Sequence, residues 1–248
     1  MNSTLISFLL TTLAGLSTLI GSIVIFLNKK NKDKIIISSL AFAASVMILI
    51  SLTDLIPESY NMLKNTFKLF PLILIILISI NIGIILSFYI KKYIPENNNN
   101  NLYKVGLISM LAIIMHNIPE GMATFMASNT NISLGISLTI AIALHNIPEG
   151  ISIAVPIYYS TNSKFKAILY TFISGLSELF GAIITYIFLK PFINDFIMGI
   201  LFSIIAGIMI HIAISELLPT SLNYKNTRLT KLFLLLGLIF IIISRIFL

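Results

Sequence analysis

The chain contains no cysteine and no tryptophan, and only 10% of its 248 residues are charged. Without cysteine, disulfides, thiolate zinc sites and thiol redox chemistry are all excluded, so any metal site must be built from His, carboxylate or amide groups. Without tryptophan, tyrosine is the remaining interfacial aromatic. A soluble domain carries about 25% charged residues; an apolar content of 57% and a mean hydropathy of +1.01 exclude that class. Long apolar runs recur between short polar breaks, each near the ~20 residues that a helix needs to cross ~30 Å of hydrocarbon. They lie near residues 5–27, 35–56, 70–90, 105–126, 133–157, 167–189, 196–218 and 231–248. The pattern predicts an all-α membrane protein of eight transmembrane helices in one domain spanning 1–248. The first run has no basic stretch before it and exceeds a signal-peptide core, so it reads as a mature helix. Pro57, Pro71, Pro95, Pro191 and Pro219 fall at or near the breaks, where a missing N–H does least harm.

A net charge of +7 does not make the chain a nucleic-acid binder, because the basic residues sit in short loops beside apolar runs rather than on one soluble face. Twelve of the sixteen fall in alternate loops: Lys29, Lys30, Lys32 and Lys34; Lys91, Lys92 and Lys104; Lys164 and Lys166; Lys225, Arg228 and Lys231. The other set holds Lys64, Lys68, Lys190 and Arg245. The positive-inside rule therefore puts the twelve in the cytosol and both termini outside the cytoplasmic membrane. The asparagine run at 97–101 reads as a flexible connection. No His-rich loop is present.

Two internal likenesses stand out. The hexapeptide HNIPEG occurs at 116–121 and again at 145–150, and LTDLIPES at 52–59 is matched more weakly by ISELLPTS at 214–221. In the expected topology the members of each pair run in opposite directions. Segments alike in sequence but opposed in direction mark inverted repeats, which place a substrate site near the membrane midplane. The expected arrangement is 3+2+3: helices one to three and six to eight related by a two-fold axis in the membrane plane, with four and five as the central pair.

His116, Asn117 and Glu120 lie near the middle of the fourth run, and His145, Asn146 and Glu149 likewise in the fifth. With about 100° of helix rotation per residue, Glu120 sits about 40° round from His116 and Asn117 about 100° round, so one carboxylate can serve both. If the two helices face each other, His116, Glu120, His145 and Glu149 can close around one cation, a set that zinc accepts. Asn117, Asn146 and the same glutamates form an oxygen-rich set for a second ion. Glu178 is the other acid well inside an apolar run. A carboxylate at the bilayer centre costs about 2.5–3.5 kcal/mol on insertion scales, so these acids need protons or bound metal. Pro119 and Pro148 are expected to kink their helices, and Gly121 and Gly150 to allow close packing. A lone His in an apolar helix is more often a satisfied buried group than a ligand, and His211 is balanced between the two readings. Asp54 and Glu216, equivalent in the weaker likeness, are candidates to draw cations into the outer and cytosolic mouths; Glu58 is a weaker one, since acids near helix ends often simply reach water.

The paired HNIPEG motifs, followed by SGLSELFG at 174–181, resemble the ZIP (ZRT/IRT-like) family of metal transporters, in its bacterial ZupT-type branch. The resemblance implies a homodimer of eight-helix protomers that moves Zn²⁺, often with Fe²⁺, Mn²⁺, Co²⁺ or Cd²⁺, into the cytosol as transported substrate, with no organic cofactor. It also implies that His116, Glu120, His145 and Glu149 match the family's primary metal site. Asn117, Asn146 and Glu178, with the same glutamates, match the second. Two rival readings are an intramembrane metal-dependent hydrolase and a metal sensor that binds without transport. The hydrolase is disfavoured, since there is no HExxH and no distinct general base beside the duplicated ligands.

Overall fold

The computed structural model describes residues 3–26, 31–94, 101–189 and 194–246. Lys29, Lys30, Pro95, the asparagines at 97–100, Lys190 and Pro191 lie outside the described residues, as do 247 and 248. Among the described residues, eight helices are long and apolar enough to cross a membrane: α1 (Ser3–Phe26), α2 (Lys32–Leu63), α3 (Leu69–Tyr93), α4 (Asn101–Thr130), α5 (Ile132–Thr161), α6 (Lys164–Phe188), α7 (Asp195–Asn223) and α8 (Thr227–Arg245). Helix is the form that satisfies every backbone polar group within its own segment, as hydrocarbon requires. The turns are made locally. Asn131 alone separates α4 from α5, and its side-chain oxygen accepts from the N–H groups of Ser133 and Leu134. Ser163 and Asn194 cap α6 and α7 in the same manner. Asn162 ends α5 with φ 52°, a left-handed conformation that asparagine tolerates.

α2 and α7 differ from the expected pattern. Both continue past the proline that was expected to end them, and in both a wide π turn precedes it, over Ser51–Leu55 and Ala213–Leu217. The Ile56 and Leu218 N–H groups bond five residues back, to Ser51 O and Ala213 O. Pro57 and Pro219 then open the next α segment, where the missing donor is harmless. Pro71 does fall at a break, in the first turn of α3. α4 and α5 remain helical through Pro119 and Pro148.

Glycines set the packing. A Cβ at Gly150 would strike Thr18 O on α1, and one at Gly21 would strike Ile147 O on α5. On the other side Gly121 faces Glu178 O and Gly181 faces Ile118 O, joining α4 to α6. Gly15 and Gly175 face each other's carbonyls. Such small-residue contacts let backbones approach where lipid supplies no hydrophobic drive. α1, α4, α5 and α6 thus form a tight group around the two HNIPEG motifs. α3 packs on α7 through Gly83 and Gly207, and α8 on α2 through Gly237. α3 and α8 are the outermost helices, with only 22% and 17% of their apolar windows buried, so lipid is their solvent. Met47, Ile153, Ile157, Ile208 and Ile212 belong to one buried cluster that joins α2, α5 and α7.

A third likeness, not read in the sequence, becomes apparent from these contacts: AGLSTLIG at 14–21 of α1 matches SGLSELFG at 174–181 of α6. Thr18 stands where Glu178 stands in the second copy.

Candidate metal centre

The motif side chains of α4 and α5 meet in the middle of the bundle. His145 Nε2 lies 2.7 Å from Glu120 Oε1, and His116 Nε2 lies 3.3 Å from Glu120 Oε2, so one carboxylate spans both imidazoles. The two rings are 6.3 Å apart between centroids. Atoms of His116, Glu120 and His145 suited to a metal all lie within 4.8 Å of one another. Glu149 reaches His116 Nε2 at 3.5 Å but stands at the edge of that trio.

The amides face the other way. Asn117 donates to Ser174 O on α6 at 3.1 Å, and Asn146 donates to Ala14 O on α1 at 3.0 Å and to the Glu178 carboxylate. Glu149 and Glu178 are fully enclosed, and Glu120 retains 7% exposure. Nine buried polar atoms here have no hydrogen-bond partner: both ring nitrogens of His116, both carboxylate oxygens of Glu149, Asn117 Oδ1, Asn146 Oδ1, Glu120 Oε2, Glu178 Oε2 and Ser174 Oγ. Each such group typically costs about 1–3 kcal/mol if left unsatisfied, and more when charged. Eight of these nine atoms belong to the predicted ligand residues, and all eight are nitrogen or oxygen donors. The donor set fits divalent cations of the zinc type, which take imidazole and carboxylate together.

A cavity of about 720 Å³ leads to this point. Glu120 and His145 form part of its wall, with Ala123, Leu138 and Ala141, and the same wall includes Asp54, Glu58, Asp195 and Arg245. Asp54 therefore lies on the approach to the centre, held there by an ion pair with Arg245. Glu216 lies apart from that cavity and is paired with Lys91 at 2.6 Å. His211 Nδ1 is 2.9 Å from Ser87 Oγ, which places it in a local hydrogen bond rather than with the α4 and α5 histidines.

Reading the sequence missed Arg245 and Lys91 as partners of the two acids, because a base at a helix end looks like a topology signal. It also missed Ser174 and the α1 segment. The GLS shared by α1 and α6 could have found both.

Known proteins are similar to this chain over nearly its whole length. The ZIP Zinc transporter family model matches residues 96–245. The zinc transporter ZupT of Clostridium perfringens is 40% identical, over 98% of this chain and 96% of that protein. That of Streptococcus mutans is 38% identical over 96% of each. That of Oceanobacillus iheyensis is 36% identical over 98% of each. These relatives are transporters, which sets the hydrolase reading aside. With two HNIPEG motifs meeting at mid-bundle and likeness over nearly its whole length, the chain belongs to the ZIP zinc transporter family.

Proposed function

We propose that the protein carries zinc, and divalent cations of similar ligand preference, across the cell membrane into the cytosol through a two-metal centre on α4, α5 and α6. The observation that carries this reading is the convergence of His116, Glu120 and His145 within 4.8 Å at the inner end of a cavity, together with the unpartnered donors around them. The relatives are named as zinc transporters. His116, Glu120, His145 and Glu149 hold the first ion; Asn117, Asn146 and Glu178, with the same glutamates, hold the second. Direction into the cytosol is what the family likeness implies; the cavity itself is lined by the end of α2, the start of α7 and the end of α8, the side with few basic residues. That side is extracytoplasmic under the positive-inside rule.

Inverted repeats support an alternating mechanism. The prolines of α2 and α7 each follow a wide turn, and the α1 to α5 glycine contacts are mirrored by those of α6 to α4. Helices α1–α3 and α6–α8 are accordingly the two related halves, with α4 and α5 between them. Initial zinc flux into proteoliposomes tests the centre. Glu120→Ala and His145→Ala should each lower it at least tenfold, and flux unchanged in both would reject the assignment. A sensor would bind zinc with the same residues and show no flux in the unsubstituted protein.

A further inference from the structure

The ion pairs of Asp54 with Arg245 and of Glu216 with Lys91 lie outside the metal centre, one toward each end of the bundle. Asp54, in the wide turn of α2, pairs with Arg245 of α8, and Glu216, in the wide turn of α7, pairs with Lys91 of α3. The acids hold the same place in LTDLIPES and ISELLPTS. The bases are matched as well: each follows the glycine through which its helix packs by eight residues, from 83 to 91 and from 237 to 245. Each pair thus joins the middle helix of one half to the last helix of the other.

Their surroundings differ. The Asp54 and Arg245 side chains are each 47% exposed and line the cavity, whereas that of Glu216 is 9% exposed. The same asymmetry runs through the central helices. Leu138 and Ala141 of α5 line the cavity, while the residues 29 positions earlier on α4, Ser109 and Ala112, the offset between the two HNIPEG motifs, are fully buried. Ser109 Oγ has no partner there, as expected of a hydroxyl that meets water in another arrangement. Among the described residues the cavity that borders Glu120 and His145 includes Asp54 and not Glu216.

We infer that Lys91 and Arg245 are matched counter-charges that set the balance between the two access states, each allowing the acid at its own end to be enclosed. This rests on the transport reading above. A carboxylate enclosed without its partner is far more costly than one left in water. Loss of Lys91 therefore penalises the arrangement seen here, in which Glu216 is enclosed. Loss of Arg245 penalises the opposite arrangement, in which Asp54 would be. Two like substitutions, Lys to Gln and Arg to Gln, push the equilibrium in opposite directions.

The cysteine-free chain makes introduced thiols clean reporters. Ala141→Cys reports the opening seen here, and Ala112→Cys reports the opposite one. The readout is the rate of reaction of the purified full chain with a water-soluble maleimide, without zinc. Lys91→Gln should slow labelling at Ala141→Cys and speed it at Ala112→Cys, each on the order of tenfold. Arg245→Gln should leave Ala141→Cys at least as reactive and Ala112→Cys no more so. The exchanged pair, Lys91→Glu with Glu216→Lys, should restore both rates, which separates a lost charge pair from a damaged fold. Shifts in the same direction from both substitutions, no shift from Lys91→Gln in monodisperse protein, or failure of the exchanged pair to restore would each overturn the inference. Opposite shifts in a protein without zinc flux would uphold the counter-charges and sink the transport reading alone.

Discussion

Glu120 is the residue on which the centre turns, since its two oxygens face two different imidazoles at 2.7 and 3.3 Å. Glu178 is a different kind of ligand candidate: its repeat counterpart on α1 is Thr18, whose hydroxyl is spent on Gly15 O at 2.7 Å. The second set of donors is therefore carboxylate-rich on the α6 side only. Glu178→Thr should reduce the zinc bound per purified chain from two ions to one, as metal analysis after gel filtration would show. A variant that still binds two would refute the division into two sites. His211→Gln should change initial zinc flux less than about threefold, because His211 is engaged with Ser87 and approaches none of the clustered ligands. At this scale much was legible in the sequence, for a simple reason. An ionisable group amid apolar helix is conspicuous, and HNIPEG twice over is conspicuous twice. Lys91 and Arg245 were not legible as partners of Glu216 and Asp54, because position along a chain does not say which acid a long basic side chain will reach.

Among the elements, the packing of α4 on α6 and α5 on α1 depends on backbone laid directly against glycine. Gly121→Ala would drive a methyl group into the Glu178 carbonyl. Overpacking of this kind typically costs about 1–3 kcal/mol, so thermal unfolding in detergent should shift down by several degrees. The nearest atoms to a methyl group at Gly199 all belong to the Leu63 side chain, and the shift of Gly199→Ala should be markedly smaller. Equal shifts would mean that the backbone contact is not what limits packing. The wide turns of α2 and α7 could not be read in advance. A proline after an apolar run signals a helix end, but in α2 and α7 a turn with bonds five residues back lets the chain continue through it. The helix then gains two further turns, which carry Ser59 to its bond with Gly199 O and Ser221 to its bond with Ile37 O. These bonds tie α2 to α7 reciprocally. The α1 and α6 likeness was readable but was passed over, because only GLS and the outer leucine and glycine survive between the copies.

For the molecule as a whole, the charge count predicts sidedness. Ser3→Cys should react with an impermeant maleimide on intact cells, and Asp33→Cys only after the membrane is opened; the reverse would invert the topology. Zinc should also raise the unfolding temperature by mass action. Saturation at about a hundredfold over the dissociation constant adds about 2.7 kcal/mol. That gain should fall in His116→Ala to what the second ion alone supplies. Eight helices were legible because each apolar run is long and bounded by charge, whereas the order in which they pack was not, since hydropathy records how far a segment prefers lipid and nothing of its neighbours. The donor set has a consequence for speed. A carrier must let go, and with association at about 10⁸ M⁻¹s⁻¹ a picomolar site would hold its ion for about three hours, whereas a micromolar one would release it in about ten milliseconds. Thiolate cages favour long dwell; two imidazoles and shared carboxylates, one pair bordering an open cavity, favour brief occupancy and rapid turnover.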